Sequence, residues 1–197
     1  MTSASRPPAC HFAHQMSTAF SDTPKRTLVL LASVNLNKRL GASGARANLA
    51  AWLREHGVKI VLAQEPFKPA DRTPPTLGGF ACAGGDGHLA AWVSEDLAPP
   101  AVSSPAPWVQ RVELEWLLVL QVHLDAYAGA SRAAQLAELA TIATAEKGRP
   151  LLVCGDFNLA PRPADGLFGE ETSAFTTEVE RQVLQQLTRG AGLSVSL

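Results

Sequence analysis

The stretch LLVCGDFNLAP, residues 151–161, decides the fold of this chain. Residues 151–154 are apolar and precede a glycine, and a short apolar run bounded by glycine and proline predicts a buried β-strand. Side chains alternate along an extended backbone, so Asp156 and Asn158 are expected to project to one side. A carboxylate and an amide at a strand end suit a hard cation such as Mg²⁺, or an anionic substrate beside it. The alternative is a turn in which Asp156 only binds backbone N–H groups.

Length, charge and hydropathy limit the class of protein. The chain has 197 residues, which is enough for one domain with a substantial core. Its net charge is −1, from 17 basic and 18 acidic residues, so no overall basic field indicates nucleic-acid binding. A local basic patch or a bound metal could still supply the charge that a nucleic-acid substrate needs. No apolar stretch reaches about 18 residues, which predicts no membrane span.

The cysteines and the N-terminus indicate the compartment and the domain limits. Cys10, Cys82 and Cys154 are widely spaced and odd in number, which favours a reducing compartment, the cytoplasm, over a disulfide framework or a zinc site. Residues 1–26 are rich in Ser, Thr, Pro and Ala without periodicity, which predicts a disordered tail. Residues 27–197 are then expected to form a single domain.

The remaining pattern predicts strands and helices in alternation. Apolar runs indicate buried strands at 27–34, 58–63 and 117–124, with further strands at 80–83, 87–94 and 108–114, whereas 95–107 is interpreted as a proline-rich connection. Helical spacing predicts helices at 45–56, at 131–146 with Ser131 as N-cap, and from a capping box at Thr177 and Glu180 to Gly190. Residues 192–197 are typical of a strand. Together these elements predict an α/β (α+β) fold, a four-layer sandwich of two packed mixed β-sheets flanked by helices.

Several strands end at a polar residue suited to one shared site. Alone, each has an ordinary explanation: Glu65 is then a surface acid and His123 a hydrogen-bonded core histidine. Together they are expected to converge, because polar groups at the ends of strands in one packed sheet system meet at one rim. Two carboxylates with amides are hard oxygen ligands, which suit Mg²⁺ or Mn²⁺ rather than a structural zinc. The group consists of Asn35, Asn37, Glu65, His123, Asp156 and Asn158.

In this order the motifs resemble the endonuclease/exonuclease/phosphatase superfamily, related in fold to pancreatic deoxyribonuclease. Residues 33–37 (SVNLN) resemble its Trp-Asn-x-Asn signature with Val34 in place of the aromatic residue, and residues 62–65 (LAQE) resemble its Gln-Glu motif. Residues 155–158 (GDFN) match its most specific motif. Residues 192–195 are similar to its Gly-Leu-x-Asp strand, from which Ser194 departs. The resemblance covers about residues 27–197 and implies the same sandwich fold.

The resemblance also implies a chemistry. It implies hydrolysis of phosphoesters with Mg²⁺ or Mn²⁺, most readily of nucleic-acid phosphodiesters by an endonuclease or exonuclease. The implied metal-binding residues are Glu65, supported by Asn35 and Asn37. The implied catalytic residues are Asp156, Asn158 and His123. In these roles Asp156 positions or deprotonates the attacking water, Asn158 contacts the phosphate, and His123 binds the phosphate or protonates the leaving oxygen.

One departure gives an alternative function. The family continues to a terminal Ser-Asp-His motif with a catalytic histidine, whereas no histidine follows His123 here. The resemblance therefore implies a domain that is C-terminally incomplete. The alternative is a truncated, catalytically impaired homologue that acts as a binding module, or that needs a partner chain or a second copy to cover the incomplete sheet edge. A third possibility is an accidental match in an ordinary α/β domain. DNA, RNA, phosphoinositide and nucleotide substrates all stay open, with Arg39 and Arg162 as candidate phosphate contacts.

Overall fold

The computed structural model describes residues 29–68, 74–159 and 176–194. The expected tail at 1–26, the loop with Arg162 and the last residues of the expected C-terminal strand lie outside them. The strands are β1 (Leu30–Asn35), β2 (Val58–Gln64), β3 (Phe80–Gly85), β4 (Leu89–Ser94), β5 (Ala101–Ala106), β6 (Val109–Glu113), β7 (Leu118–His123) and β8 (Leu151–Asp156). The helices are α1 (Ser43–Glu55), α2 (Gly129–Ala145) and α3 (Glu178–Ala191), with a 3-10 turn at Arg39–Gly41.

The eight strands of the described residues form two mixed sheets of four. The first sheet has the order β1-β2-β4-β3 and the second has the order β5-β6-β7-β8. In each sheet one pair at one edge is parallel, β1 with β2 and β7 with β8, and the other pairs are antiparallel. This arrangement confirms the expected pair of mixed sheets.

Helices cover the outer faces and complete four layers. Leu53 of α1 packs with Trp92 on the outer face of the first sheet. Leu136 of α2 and Leu187 of α3 pack with Val122 on the outer face of the second sheet. A third cluster fills the space between the sheets, where buried aliphatic side chains of β2 and β4 meet those of β6 and β7. The four-layer prediction is therefore confirmed. Among the described residues, no helix is both long and apolar enough to cross a membrane.

Two of the strands expected to be buried, β1 and β8, lie at sheet edges in the part of the chain that the structure describes. Every residue of β8 is half-buried, and in β1 only Ala32 is buried. The prediction of buried runs at 27–34 and 151–154 is therefore wrong within the described residues. Apolar composition signals a face that packs on a core, but it does not reveal how many neighbours a strand has in its sheet. On their inner faces both strands still contact the core between the sheets.

Strand β5 was missed by the sequence pattern. It lies within 95–107, which the sequence presents as a proline-rich connection, and it carries Pro105. Strand β5 is the outer strand of its sheet, and most of its residues are exposed. Its register shifts between Ser103 and Ala106. An edge strand tolerates proline and bulges because one side of its backbone needs no partner, so it lacks the apolar alternation of an inner strand.

Helix α2 begins two residues before the predicted N-cap, Ser131. The carboxylate of Asp125 accepts the backbone N–H groups of Tyr127 and Ala128 at 2.8 and 2.9 Å, ahead of the first turn. These hydrogen bonds hold the pKa of Asp125 below its ordinary value. Asp125, which follows the end of β7, therefore anchors the loop between β7 and α2.

The capping box of α3 is confirmed. The Thr177 hydroxyl accepts the Glu180 N–H at 3.2 Å, and Glu180 Oε2 accepts the Thr177 N–H at 2.6 Å. The helix runs to Ala191 rather than stopping at Gly190, and Gly192 ends it in the left-handed conformation with φ of 67°.

Candidate active site

Four strand ends meet at one rim of the sandwich. The parallel pairs bring β1 beside β2 and β7 beside β8, so each pair ends on the same side. The Asn35 amide at the end of β1 donates to Asp156 Oδ2 at the end of β8 at 2.8 Å, across the two sheets. His123 is the register partner of Asp156, and Glu65 directly follows the last residue of β2. The expected convergence of these polar side chains is therefore present.

Asp156 is held by two hydrogen bonds. Its Oδ2 accepts the Asn35 amide at 2.8 Å, and its Oδ1 accepts the backbone N–H of Asn158 at 3.0 Å. The second bond closes a local turn, which is the alternative explanation of the sequence motif without an active site. The first bond joins residues 121 positions apart in the chain, so it is not part of a local turn. The carboxylate is thus both a turn residue and part of the rim, and it is half-buried.

Asn158 lies beyond the end of β8 with φ of 49°. The alternation expected to place it beside Asp156 therefore stops at Asp156. Its Nδ2 donates to the carbonyl oxygen of Leu124 at 2.8 Å, and the Leu124 N–H donates to the Asp156 carbonyl at 2.9 Å. Asn158 thus joins the segments that follow β7 and β8, beyond the paired residues His123 and Asp156.

Glu65 has partners on both carboxylate oxygens. Its Oε1 lies 3.5 Å from His123 Nε2, and its Oε2 lies 3.2 Å from the ammonium nitrogen of Lys38. The Glu65 N–H donates to the carbonyl oxygen of His88 at 2.9 Å, which fixes the backbone from which the side chain projects. The side chain of Glu65 is 23% exposed, so the carboxylate is open to solvent from the rim.

Asn37 and Lys38 form the loop beside Glu65. The Asn37 backbone N–H donates to Asn35 Oδ1 at 2.9 Å, so Asn37 orients the Asn35 amide through its backbone. Sequence reasoning missed Lys38, although it is the first cation after the Asn-Leu-Asn motif at the end of β1. Arg39 is exposed in the 3-10 turn that follows.

Backbone strain is concentrated at this rim. The described non-glycine residues with positive φ are Asn37, Lys38, Glu65 and Asn158, with φ between 45° and 60°. Left-handed backbone at a non-glycine residue is energetically unfavourable and collects at functional sites, where the surrounding structure enforces it. All four residues lie in the loops that follow β1, β2 and β8, which supports this rim as the functional site.

Gly155 allows β8 to approach β7 closely just before Asp156. Its φ is 133°, and a Cβ atom there would lie 2.0 Å from the carbonyl oxygen of Val122. A side chain at this position would force the strands apart. The glycine of the GDFN motif is therefore required for Asp156 to stand beside His123.

A polar layer joins the two sheets directly beneath the rim. Gln121 of β7 donates from Nε2 to the Ala63 carbonyl of β2 at 2.7 Å, and it is fully buried. Gln64 donates to the hydroxyl of Ser33 at 3.2 Å. Burial raises the pKa of the Cys154 thiol to about 12, against a smaller lowering by its hydrogen bond with Ser33. Burial therefore keeps this thiol protonated at neutral pH, which disfavours a role as nucleophile.

The donors at the rim suit a hard cation rather than zinc. Glu65 and Asp156 supply carboxylates, and Asn35 supplies an amide oxygen. The described residues contain no group of three or more His, Cys, Asp or Glu placed to hold a metal. Mg²⁺ is commonly bound through one or two carboxylates while it keeps several water ligands, so this sparse oxygen set fits Mg²⁺ or Mn²⁺. A tetrahedral site of cysteine and histidine ligands does not fit.

Comparison with solved structures agrees with the fold. An AP endonuclease from Archaeoglobus fulgidus matches with a TM-score of 0.58 and 16% identity over 81% of this chain and 68% of that chain. A 3'-5' exonuclease from Neisseria meningitidis matches with a TM-score of 0.59 and 22% identity over 81% and 69%. A Neisseria 3' phosphatase bound to a product DNA hairpin matches with a TM-score of 0.57 and 23% identity over the same shares. At these identities the likeness shows the fold.

Comparison of sequences gives the family. No curated protein sequence matches the chain at a significant level. The model of the Endonuclease/Exonuclease/phosphatase family matches residues 32–192, which is most of the chain and spans all eight strands except the first two residues of β1. The chain therefore belongs to the Endonuclease/Exonuclease/phosphatase family, which is named for enzymes that hydrolyse phosphoester bonds.

Proposed function

We propose that this chain is a divalent-metal-dependent phosphoester hydrolase that cleaves phosphodiesters in nucleic acid, as an endonuclease or exonuclease. The observation that carries the proposal is the meeting of Asn35, Glu65, His123 and Asp156 at one strained rim. Family membership supports phosphoester hydrolysis, and the likeness to a phosphatase bound to a DNA hairpin favours a nucleic-acid substrate.

Glu65 and Asn35 are the residues that would hold the cation, which Mg²⁺ or Mn²⁺ can provide. Asn37 supports them, because its N–H fixes the Asn35 oxygen. A bound divalent cation supplies charge neutralisation at the phosphate oxygens during attack. The side chain of Glu65 is partly exposed, so water and substrate oxygen atoms can approach it from solvent.

Asp156 receives the proton of the attacking water. The Asn35 amide and the Asn158 N–H each donate to one carboxylate oxygen, so the direction of the remaining lone pairs is fixed. His123 lies in register with Asp156, and Glu65 Oε1 faces its Nε2. A histidine held in this way can donate a proton to the leaving oxygen or bind the phosphate. Asn158, whose side chain binds the Leu124 carbonyl between the ends of β7 and β8, contacts the phosphate in this proposal.

The first test of the function is the variant Glu65→Gln. We expect it to lose most hydrolysis of bis-p-nitrophenyl phosphate and of plasmid DNA in Mg²⁺ or Mn²⁺, because an amide lacks the charge that binds the cation. EDTA should abolish the activity of the unaltered chain. Glu115→Gln is the matched control, because Glu115 is exposed in the turn between β6 and β7. Hydrolysis that survives both EDTA and Glu65→Gln would contradict metal dependence.

A second candidate function is that of a homologue whose site needs a second copy of the chain, or that acts as a binding module. Within the described residues, β1 and β8 are edge strands, and both carry rim residues. They run in the same direction, since Asn35 meets Asp156 and Ser33 meets Cys154. One two-fold axis perpendicular to the sheets could therefore pair both edges with those of a second copy. Unpaired strand edges favour such association.

Light scattering on the purified chain tests this second candidate. Pairing of both edges predicts a dimer, with a mass near twice the 20.8 kDa of one chain. Activity that rises with protein concentration would show that the dimer is the active form. A monomer with concentration-independent specific activity would contradict the second candidate and leave the first.

A further inference from the structure

A lysine ammonium lies on the carboxylate that we assign to the metal. Lys38 Nζ is 3.2 Å from Glu65 Oε2, and His123 Nε2 is 3.5 Å from Glu65 Oε1. Both carboxylate oxygens therefore face nitrogen atoms. A divalent cation that binds Glu65 through Oε2 meets the ammonium there, and one that binds through Oε1 lies on the same carboxylate, so the two cations compete for one negative charge.

The backbone directs Lys38 toward Glu65. The Lys38 N–H donates to the Glu65 carbonyl oxygen at 2.6 Å, and two residues later the Leu40 N–H donates to the carbonyl oxygen of Pro66 at 3.1 Å. The loop after β1 therefore runs directly beside the loop after β2. Lys38 and Glu65 both have left-handed φ, 60° and 45°. The fold thus fixes where the lysine side chain starts, opposite the carboxylate.

The ion pair is also easy to open. The side chain of Lys38 is 49% exposed, whereas that of Glu65 is 23% exposed. The ammonium can turn into water without leaving a buried charge behind. Half-exposed ion pairs are weak, because water and salt screen them and two side chains lose freedom. A divalent cation, with twice the charge, can therefore displace the lysine while still having to compete with it.

We propose that Lys38 sets the affinity of the metal site, because its ammonium occupies Glu65 where a divalent cation would bind and lowers the affinity for Mg²⁺ and Mn²⁺. The inference rests on the proposed function, in which Glu65 is the metal ligand. It has two consequences. The metal-free site carries a positive charge where the cation binds, and the metal dissociates more readily than from a carboxylate without a neighbouring cation.

The test measures Mn²⁺ binding to the full chain without substrate, by electron paramagnetic resonance of the free ion. We expect Lys38→Met to bind Mn²⁺ about two- to fivefold more tightly than the unaltered chain, which is the range for loss of one screened ion pair. Lys38→Arg keeps the charge and should bind like the unaltered chain. Lys59→Met removes another surface ion pair, with Asp96, at the end of β2 opposite to Glu65, and should change nothing. The gain in Lys38→Met should shrink as ionic strength rises.

Mn²⁺ titration of Glu65→Gln distinguishes the metal assignment of Glu65 from the role of Lys38. If Glu65→Gln loses Mn²⁺ binding and Lys38→Met gains affinity, the inference holds. If Glu65→Gln loses binding but Lys38→Met binds no more tightly than the unaltered chain, the role of Lys38 is overturned and the metal site stands. If Glu65→Gln binds Mn²⁺ like the unaltered chain, or if no variant binds it, the metal assignment of Glu65 is overturned together with the role of Lys38.

Discussion

Replacing Asp156 by asparagine is expected to lower the rate of phosphoester hydrolysis by about 10²–10⁴-fold, the range for loss of a general base. Asparagine keeps the size of the side chain and can still accept the Asn35 amide, but it cannot take a proton from water. The loss should fall on kcat rather than on KM, because Asp156 acts on the water and not on substrate binding. The measurement is the steady-state hydrolysis of bis-p-nitrophenyl phosphate with saturating Mn²⁺.

Asp96→Asn is the matched control for this experiment. Asp96 is an exposed carboxylate that pairs with Lys59 and accepts the Ser94 hydroxyl, away from the rim. It should leave the rate unchanged. Circular dichroism should show that Asp156→Asn keeps its fold. An unchanged rate in Asp156→Asn would remove this residue from the reaction, and equal traces of activity in all variants would indicate a contaminating enzyme.

Glu180→Ala is expected to lower the free energy of unfolding by about 3–5 kcal/mol, the usual cost of removing one partner of a buried ion pair. Glu180 Oε1 accepts Arg132 Nε at 2.5 Å, and both side chains are at least 98% buried. The same carboxylate closes the capping box of α3 with Thr177. Its loss leaves the Arg132 guanidinium short of its charged partner in the core between α2 and α3. Urea denaturation of the variant and the unaltered chain measures the difference.

Glu178→Ala controls for the loss of a carboxylate in the same helical turn. Glu178 is exposed and pairs only with Arg181 at 3.6 Å among the described ion pairs, so it should cost much less. Substituting both partners, as Arg132→Met with Glu180→Leu, should recover part of the loss, because the buried guanidinium is then removed together with the carboxylate. A Glu180→Ala variant as stable as Glu178→Ala would contradict the role of the buried pair.

The pH dependence of this stability follows from the pKa of Glu180. Burial raises the pKa, but the hydrogen bonds from Thr177 and the charge-assisted bond from Arg132 outweigh burial and hold the pKa below its ordinary value of 4.5. A lowered pKa in the fold means that the carboxylate stabilises the protein above pH 4.5 and loses this effect as pH falls through its folded pKa. The difference between Glu180→Ala and the unaltered chain should therefore be full at neutral pH and shrink in acid.

The sequence by itself determined the layers, the type of most elements and the residues of the rim. Apolar runs that end at Asn35, Glu65, His123 and Asp156 predict strands whose ends meet, because strands in packed sheets share one end where polar groups collect. The capping box of Thr177 and Glu180 could also be predicted, because it depends on two residues only three positions apart. These features are local, or follow from one repeated pattern.

Only the tertiary structure decided which groups contact each other and which strands are edges. The bond from Asn35 to Asp156 and the pairing of Glu65 with Lys38 and His123 depend on the register of two sheets and on left-handed backbone in the loops. Strand β5 and the half-exposed β8 show the same limit, since sequence pattern reports the faces of a strand but not its neighbours. Such contacts join residues far apart in the chain. Side-chain chemistry in the sequence therefore identifies the candidate site residues, whereas their contact partners depend on three-dimensional packing.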